Sequence, residues 1–141
     1  GTVFLASREA AVPESWKRDI VGAASESTVR ATFLSELLTP PGGEAYRTAP
    51  RVLRTPFITQ WLDRDEAVRA EADRLREELL AAMRDGRGHE FVPLTGQSAG
   101  LVREVLPAAE ILRRMVEEAE AALLQGTRLV THGSPESDPP R

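Results

Sequence analysis

Apolar positions recur at helical spacing in two long stretches of this chain and in short, irregular runs elsewhere. Val68, Ala72, Leu75, Leu79 and Met83 follow one another at three- and four-residue steps, with arginine and glutamate on the other faces. That is the pattern of one buried stripe, and it predicts a helix over 63–85. Asp63 and Glu66 have the spacing of a capping box, and Gly86 suits the left-handed residue that ends a helix. A second stripe runs through Ala108, Ile111, Leu112, Met115, Ala119, Ala122 and Leu123. Pro107 in the first turn and Glu110 beside it predict a helix over 107–125, ended by Gly126.

The upstream pattern is shorter in period. Thr2 to Ala6 is a continuous apolar run of β-branched and aromatic type, read as the end of a buried strand. Pro13 followed by Glu14 predicts a helix to Ala24, with Trp16, Ile20, Val21, Ala23 and Ala24 facing inward and Ser25 to Ser27 breaking it. Thr28 to Leu34 fits a strand or an extended arm. Thr39-Pro40-Pro41-Gly42-Gly43 is a breaker. Pro50 and Pro56 bracket Arg51 to Arg54, which therefore reads as extended. Phe57, Ile58, Trp61 and Leu62 form an apolar cluster in need of a partner.

These elements are mostly helical and do not obviously close on one another. Two strands make a marginal sheet, and two amphipathic helices each need an apolar surface. A helix layer short of its sheet is what the C-terminal part of an α/β barrel would look like. Val3, Phe4 and Leu5, apolar from the first positions onward, lead us to expect a chain that starts inside an element of something larger.

Composition narrows the classes. The chain has 141 residues, enough for one domain, with 41% hydrophobic and 28% charged residues. Its net charge of −4 argues against nucleic acid as a partner. It has no cysteine, which removes disulfides, thiolate catalysis and Cys-ligated metal. No apolar run approaches the roughly 20 residues of a membrane helix, and no signal-peptide pattern opens the chain. A cytoplasmic protein without membrane contact is the expectation.

Candidate chemistry centres on Gly96-Gln97-Ser98-Ala99-Gly100-Leu101-Val102. Two glycines flank small or polar residues, so a ligand can approach the main chain closely. The stretch matches Gly-x-Ser-x-Gly letter for letter. A hydrolase elbow needs a strand before it, a helix directly after it, and an acid and a histidine downstream. Here Pro93 interrupts the approach, Leu101 to Leu106 intervene before the helix, and the later histidine, His132, lies in a polar tail. The Lys-Ser/Thr of a P-loop is also missing. His89 and His132 read as solvated, with no metal-ligand spacing around either. The acids beside Arg69, Arg113 and Arg114 read as a solvated charged face. Gly1-Thr2 is a weak candidate for a phosphate contact, the kind of site that follows the late strands of a (β/α)8 barrel.

Four segments in order carry a resemblance. Gly1 to Ser7 with Glu9-Ala10 resembles the "GTRFLAT-E" segment of the nitronate monooxygenases, formerly called 2-nitropropane dioxygenases. Ser15-Trp16-Lys17 resembles their "xYK" helix start, and Ala49 to Arg54 resembles "APHRVLRN". Gly96 to Val102 with Leu106 to Glu110 resembles "GQSAGLV…PAAEI". The FMN-dependent enoyl-acyl-carrier-protein reductases are similar to this family. Val3 departs from the pattern, which has Arg there.

The resemblance implies an FMN-binding (β/α)8 TIM barrel, of which residues 1–130 are the C-terminal portion: the end of the last strand plus covering helices. Residues 131–141 are expected to be a disordered tail. The missing N-terminal barrel portion is the implied partner. Gly1 and Thr2 inherit the FMN-phosphate role, and Gln97 and Ser98 are candidates for flavin or substrate contact. The 63–85 and 107–125 helices would roof the site. The family's catalytic histidine has no match here, so no catalytic residue and no metal ligand is assigned. The implied activity is a flavoprotein monooxygenase reaction: alkyl nitronates and dioxygen give carbonyl compounds and nitrite. The alternatives are enoyl-acyl-carrier-protein reduction, or a non-catalytic helical interaction module.

Overall fold

The computed structural model describes residues 1–39, 43 and 49–131, the last four by backbone alone. The expected 131–141 tail, apart from Thr131, which ends the last helix, lies outside the described residues together with His132, as do Pro40 to Gly42 of the Thr39–Gly43 breaker. Among the described residues the fold is mostly helical, as the pattern predicts. A two-stranded antiparallel sheet pairs β1 (Thr28–Arg30) with β2 (Arg51–Leu53), setting Thr28 opposite Leu53 and Arg30 opposite Arg51. The Arg51 guanidinium donates to the Thr28 carbonyl at 3.1 Å and to its hydroxyl at 3.2 Å. On the other side of β2, Leu94 bridges to Val52, and the Thr95 amide donates to the Arg51 carbonyl at 3.0 Å.

Successive side chains of a strand point to opposite faces, and β2 uses this to join two cores. Val52 enters one, with Ala31, Phe33, Leu34, Leu37, Ile58, Trp61, Val68 and Leu75. Leu53 enters the other, with Ala6, Ile20, Ala23, Ala99 and Val102. The first core is built by α3 (Leu34–Leu38), α4 (Pro56–Trp61), α5 (Asp65–Ala70) and α6 (Ala72–Arg84). Thr55 starts α4 by accepting the Ile58 amide, with Pro56 at the first helical position, where its missing N–H is not needed.

The run Thr2 to Ala6 is not a strand. It forms a short helix, α1 (Thr2–Leu5), closed by the Phe4 and Leu5 amides donating to the Gly1 carbonyl. Four apolar residues carry too little periodicity to separate a buried strand from a buried helical turn. The barrel itself is therefore not seen: the described sheet is the antiparallel pair.

The helix expected over 63–85 is two helices. Asp63 takes a left-handed φ of 60°, Arg64 is the N-cap of α5, and no side-chain capping bond forms. Glu71, at φ −112° and ψ 12°, separates α5 from α6; its amide donates to both Ala67 and Val68. The stripe is otherwise correct, with Val68, Leu75 and Leu79 buried, although Met83 is exposed and Ala82 is buried in its place. Gly86 adopts the left-handed φ of 75°.

The helix α2 (Glu14–Val21) begins after Pro13 as expected but ends at Gly22, and Ala24 is exposed. The last helix, α8 (Ala108–Thr131), runs through Gly126 instead of ending there. Only Ile111 of its predicted stripe is buried; Leu112, Met115 and Leu123 are 50–73% exposed. Periodicity shows which face is apolar, not whether anything covers it.

Candidate functional site

The structure brings the two candidate segments together. Thr2, in the first turn of α1, is buried at 8% exposure, and its Oγ1 accepts the Gly96 amide at 3.0 Å. Gly1 sits exposed at the start of that turn, and a β-carbon there would meet nothing within 4 Å. Gly96 opens a 3₁₀ turn over Gln97–Leu101, in which the Ala99 amide donates to the Gly96 carbonyl at 3.0 Å. Ala99 is fully buried in the second core, which fixes the turn, while Gln97 and Ser98 are exposed. Gln97 and Ser98 therefore sit on a packed turn with their polar groups outward, while the Thr2 hydroxyl is turned in toward Gly96.

Both glycines of the Gly-x-Ser-x-Gly match have a packing reason. A β-carbon on Gly96 would lie 3.0 Å from Thr2 Oγ1, and one on Gly100 would lie 2.4 Å from Ser25 Oγ and 2.7 Å from the Ser25 nitrogen. Ser98 lies within a 3₁₀ turn and no α-helix follows it directly. These features do not make a nucleophile elbow.

His89 is not the solvated histidine the local sequence implies. It lies in α7 (Gly88–Phe91), stacked on Trp16 with centroids 6.1 Å apart at 16°. Its Nε2 is 2.9 Å from Ser15 Oγ, and its Nδ1 is buried without a partner among the described residues. Trp16 in turn donates its indole N–H to Thr95 Oγ1 at 3.3 Å. Lys17 is 2% exposed, with Nζ 3.2 Å from the Arg8 carbonyl and 2.9 Å from Glu14 Oε1. These partners are distant in sequence or hidden by a polar neighbourhood, so local pattern misses them. The only sequence signal is the Ser15-Trp16-Lys17 helix start itself.

The start of α8 is tied to the same region. The Arg8 amide donates to the Leu106 carbonyl at 3.0 Å, and the Ala108 amide donates to Glu9 Oε2 at 2.8 Å. That backbone bond holds the Glu9 carboxyl below its ordinary range. One turn on, Arg113 and Arg114 hydrogen-bond to Glu110 and pull its carboxyl down to about 2. The Arg113–Glu117 pair, at i and i+4, is present as expected of a solvated charged face. By contrast, α6 packs on α3 and α7, in the first core rather than over the Gly1–Gly96 junction. Among the described residues, no group of three or more histidine, aspartate or glutamate side chains could hold a metal ion, and no helix is long and apolar enough to cross a membrane.

No family model matches the chain. It is 33% identical over 139 residues to the nitronate monooxygenase npaC of Metarhizium robertsii, a match that takes in 94% of this chain and 36% of that protein. Its fold is similar to that of FabK from Thermotoga maritima, with a TM-score of 0.59 and 30% identity over 90% of this chain and 38% of that one. A mutant of the same FabK superposes with a TM-score of 0.57 at 29% identity. The chain thus spans little more than a third of the length of each relative. The resemblance carried by the four sequence segments is met by both comparisons.

Proposed function

Because the chain is related over most of its length to nitronate monooxygenase npaC and to FabK, we propose that it forms part of an FMN-dependent oxidoreductase of the nitronate monooxygenase type. Its substrates would be an alkyl nitronate and dioxygen, and its products a carbonyl compound and nitrite. The observation that carries this reading is the Thr2–Gly96 hydrogen bond, which joins the Gly1-Thr2 and Gly96-Gln97-Ser98 segments of the family motifs into one surface.

The residues present fit the flavin. Gly1 leaves open the space that any side chain would fill, so a phosphate could reach the main chain of Gly1 and Thr2. Thr2 Oγ1 accepts from Gly96 and still has its own proton to donate. Gln97 and Ser98 present a neutral amide and a hydroxyl from an exposed turn, donors suited to flavin or nitronate oxygens. Bound FMN would take electrons from the nitronate and return them to dioxygen. The part of this chain is to hold the phosphate end and to keep Gln97 and Ser98 fixed through buried Ala99.

The second reading, enoyl-acyl-carrier-protein reduction, is supported by the similarity to FabK. One experiment separates the two. The protein, and a version extended upstream, are titrated with FMN by flavin fluorescence and then assayed. Nitrite release from an alkyl nitronate with dioxygen uptake supports the first reading. Nicotinamide-dependent reduction of an enoyl thioester supports the second. Absence of FMN binding in both proteins overturns the flavin reading.

A further inference from the structure

We infer that Trp16 is a positioning residue for the FMN phosphate, acting through Thr95 and Gly96 on Thr2; this rests on the flavin reading above. The connection is continuous. The Trp16 indole donates to Thr95 Oγ1 at 3.3 Å, the Thr95 amide is held by the Arg51 carbonyl at 3.0 Å, and the next amide in the chain, Gly96, donates to Thr2 Oγ1. Thr95 is 3% exposed, so its hydroxyl has little access to water as a substitute partner.

The indole is itself held in place. The His89 ring stacks on it nearly parallel, and Ser15 Oγ anchors His89 Nε2. Elements α2 and α7 therefore fix the indole plane, the indole fixes the Thr95 side chain, and β2 fixes the Thr95 backbone. Thr95 is thus held through its side chain and its own amide, immediately before the peptide whose Gly96 N–H donates to Thr2. Without the indole bond, Thr95 keeps its backbone anchor but its side chain can turn, and the Gly96–Thr2 bond is set less closely. The part of the flavin that should register this is the phosphate, because Gly1 and Thr2 are the residues proposed to meet it.

The test compares FMN with riboflavin, which lacks the phosphate, in the full flavin-binding protein. Trp16→Phe keeps an aromatic ring against His89 and removes the donor. Thr95→Val removes the acceptor at constant shape, and Thr95→Ser restores it. The expected result is an FMN Kd raised about tenfold in Trp16→Phe and Thr95→Val, the size of one lost part-buried hydrogen bond. Riboflavin affinity should be unchanged, and Thr95→Ser should bind FMN like the parent. Equal losses for both flavins, or no loss for either, would overturn the inference while leaving the flavin reading standing. A parent protein that binds riboflavin as tightly as FMN would overturn the phosphate role of Gly1 and Thr2, and the inference with it. Trp16→Phe decides the matter alone if Thr95→Val does not fold.

Discussion

The Gly96 amide and the Thr2 hydroxyl, 94 residues apart in sequence, are hydrogen-bonded at 3.0 Å. Thr2→Val removes the acceptor at constant shape and leaves a part-buried N–H without a partner. A loss of about 1–3 kcal/mol is expected, with Thr2→Ser close to the parent. Urea unfolding of the three proteins checks this. Equal midpoints for the valine and serine variants would show that the bond contributes nothing.

Gly100 is expected to tolerate no side chain. Gly100→Ala should destabilise by about 1–3 kcal/mol through overpacking. Ser25→Ala should not rescue it, because the 2.7 Å approach to the Ser25 nitrogen persists. Thermal unfolding of the single and double variants distinguishes a backbone clash from a side-chain one. Full rescue would place the clash on the hydroxyl alone.

Gly1→Trp should weaken FMN retention at least about tenfold by filling the space that Gly1, whose added β-carbon would meet nothing within 4 Å, leaves open at the phosphate end. Flavin occupancy after gel filtration reads the effect. Unchanged occupancy would remove Gly1 from the site.

Acid should act on α8 first. The arginines hold the Glu110 carboxyl down from 4.5 to about 2, and Glu9 is lowered in the same direction by the Ala108 amide. A carboxylate depressed in the folded state contributes stability that is fully present above its unfolded pKa and is lost as pH falls through the folded one. Helicity should therefore fall between pH 4.5 and about 2, less steeply at high salt. Glu110→Gln should remove part of that fall in circular dichroism. An acid titration superimposable on the parent would exclude Glu110 as a contributor.

Local stability should also differ between the long helices. α6 buries Leu75, Leu79 and Ala82, whereas among the residues of α8 whose side chains are described only Ile111 is buried. Amide exchange in α8 beyond Ile111 should be much faster than in α6. Comparable protection would mean that the exposed apolar face of α8 is covered in solution.

The parts of this molecule legible in the sequence are those decided locally. The Val68–Leu75–Leu79 stripe, the left-handed Gly86, the Pro13 helix start and the extended Arg51–Leu53 all follow from a few neighbouring residues; the helix that opens at Pro56 was read only as an apolar cluster. Ends decided by a single backbone angle were not legible. Asp63 turns left-handed and so cannot cap, and Gly126 stays helical. The family resemblance assigned Gly1-Thr2 and Gly96-Gln97-Ser98 separately to the flavin, but the direct Thr2–Gly96 contact was not legible, because the two lie 94 residues apart. The environment of His89 was not legible at all, because Ser15 and Trp16 lie more than 70 residues upstream.

The bonds from Arg8 to Leu106 and from Ala108 to Glu9 have a consequence for the order of events on the ribosome. Residues 1–9 acquire these partners, and the Gly96 amide, only after about a hundred further residues have been synthesised. The first core, built from residues 31–75, can assemble before those partners exist. Docking of the Thr2–Leu5 turn against Gly96 and Leu106 is then a late step of high contact order, and the interval before it is when the nascent chain is most exposed to misassociation.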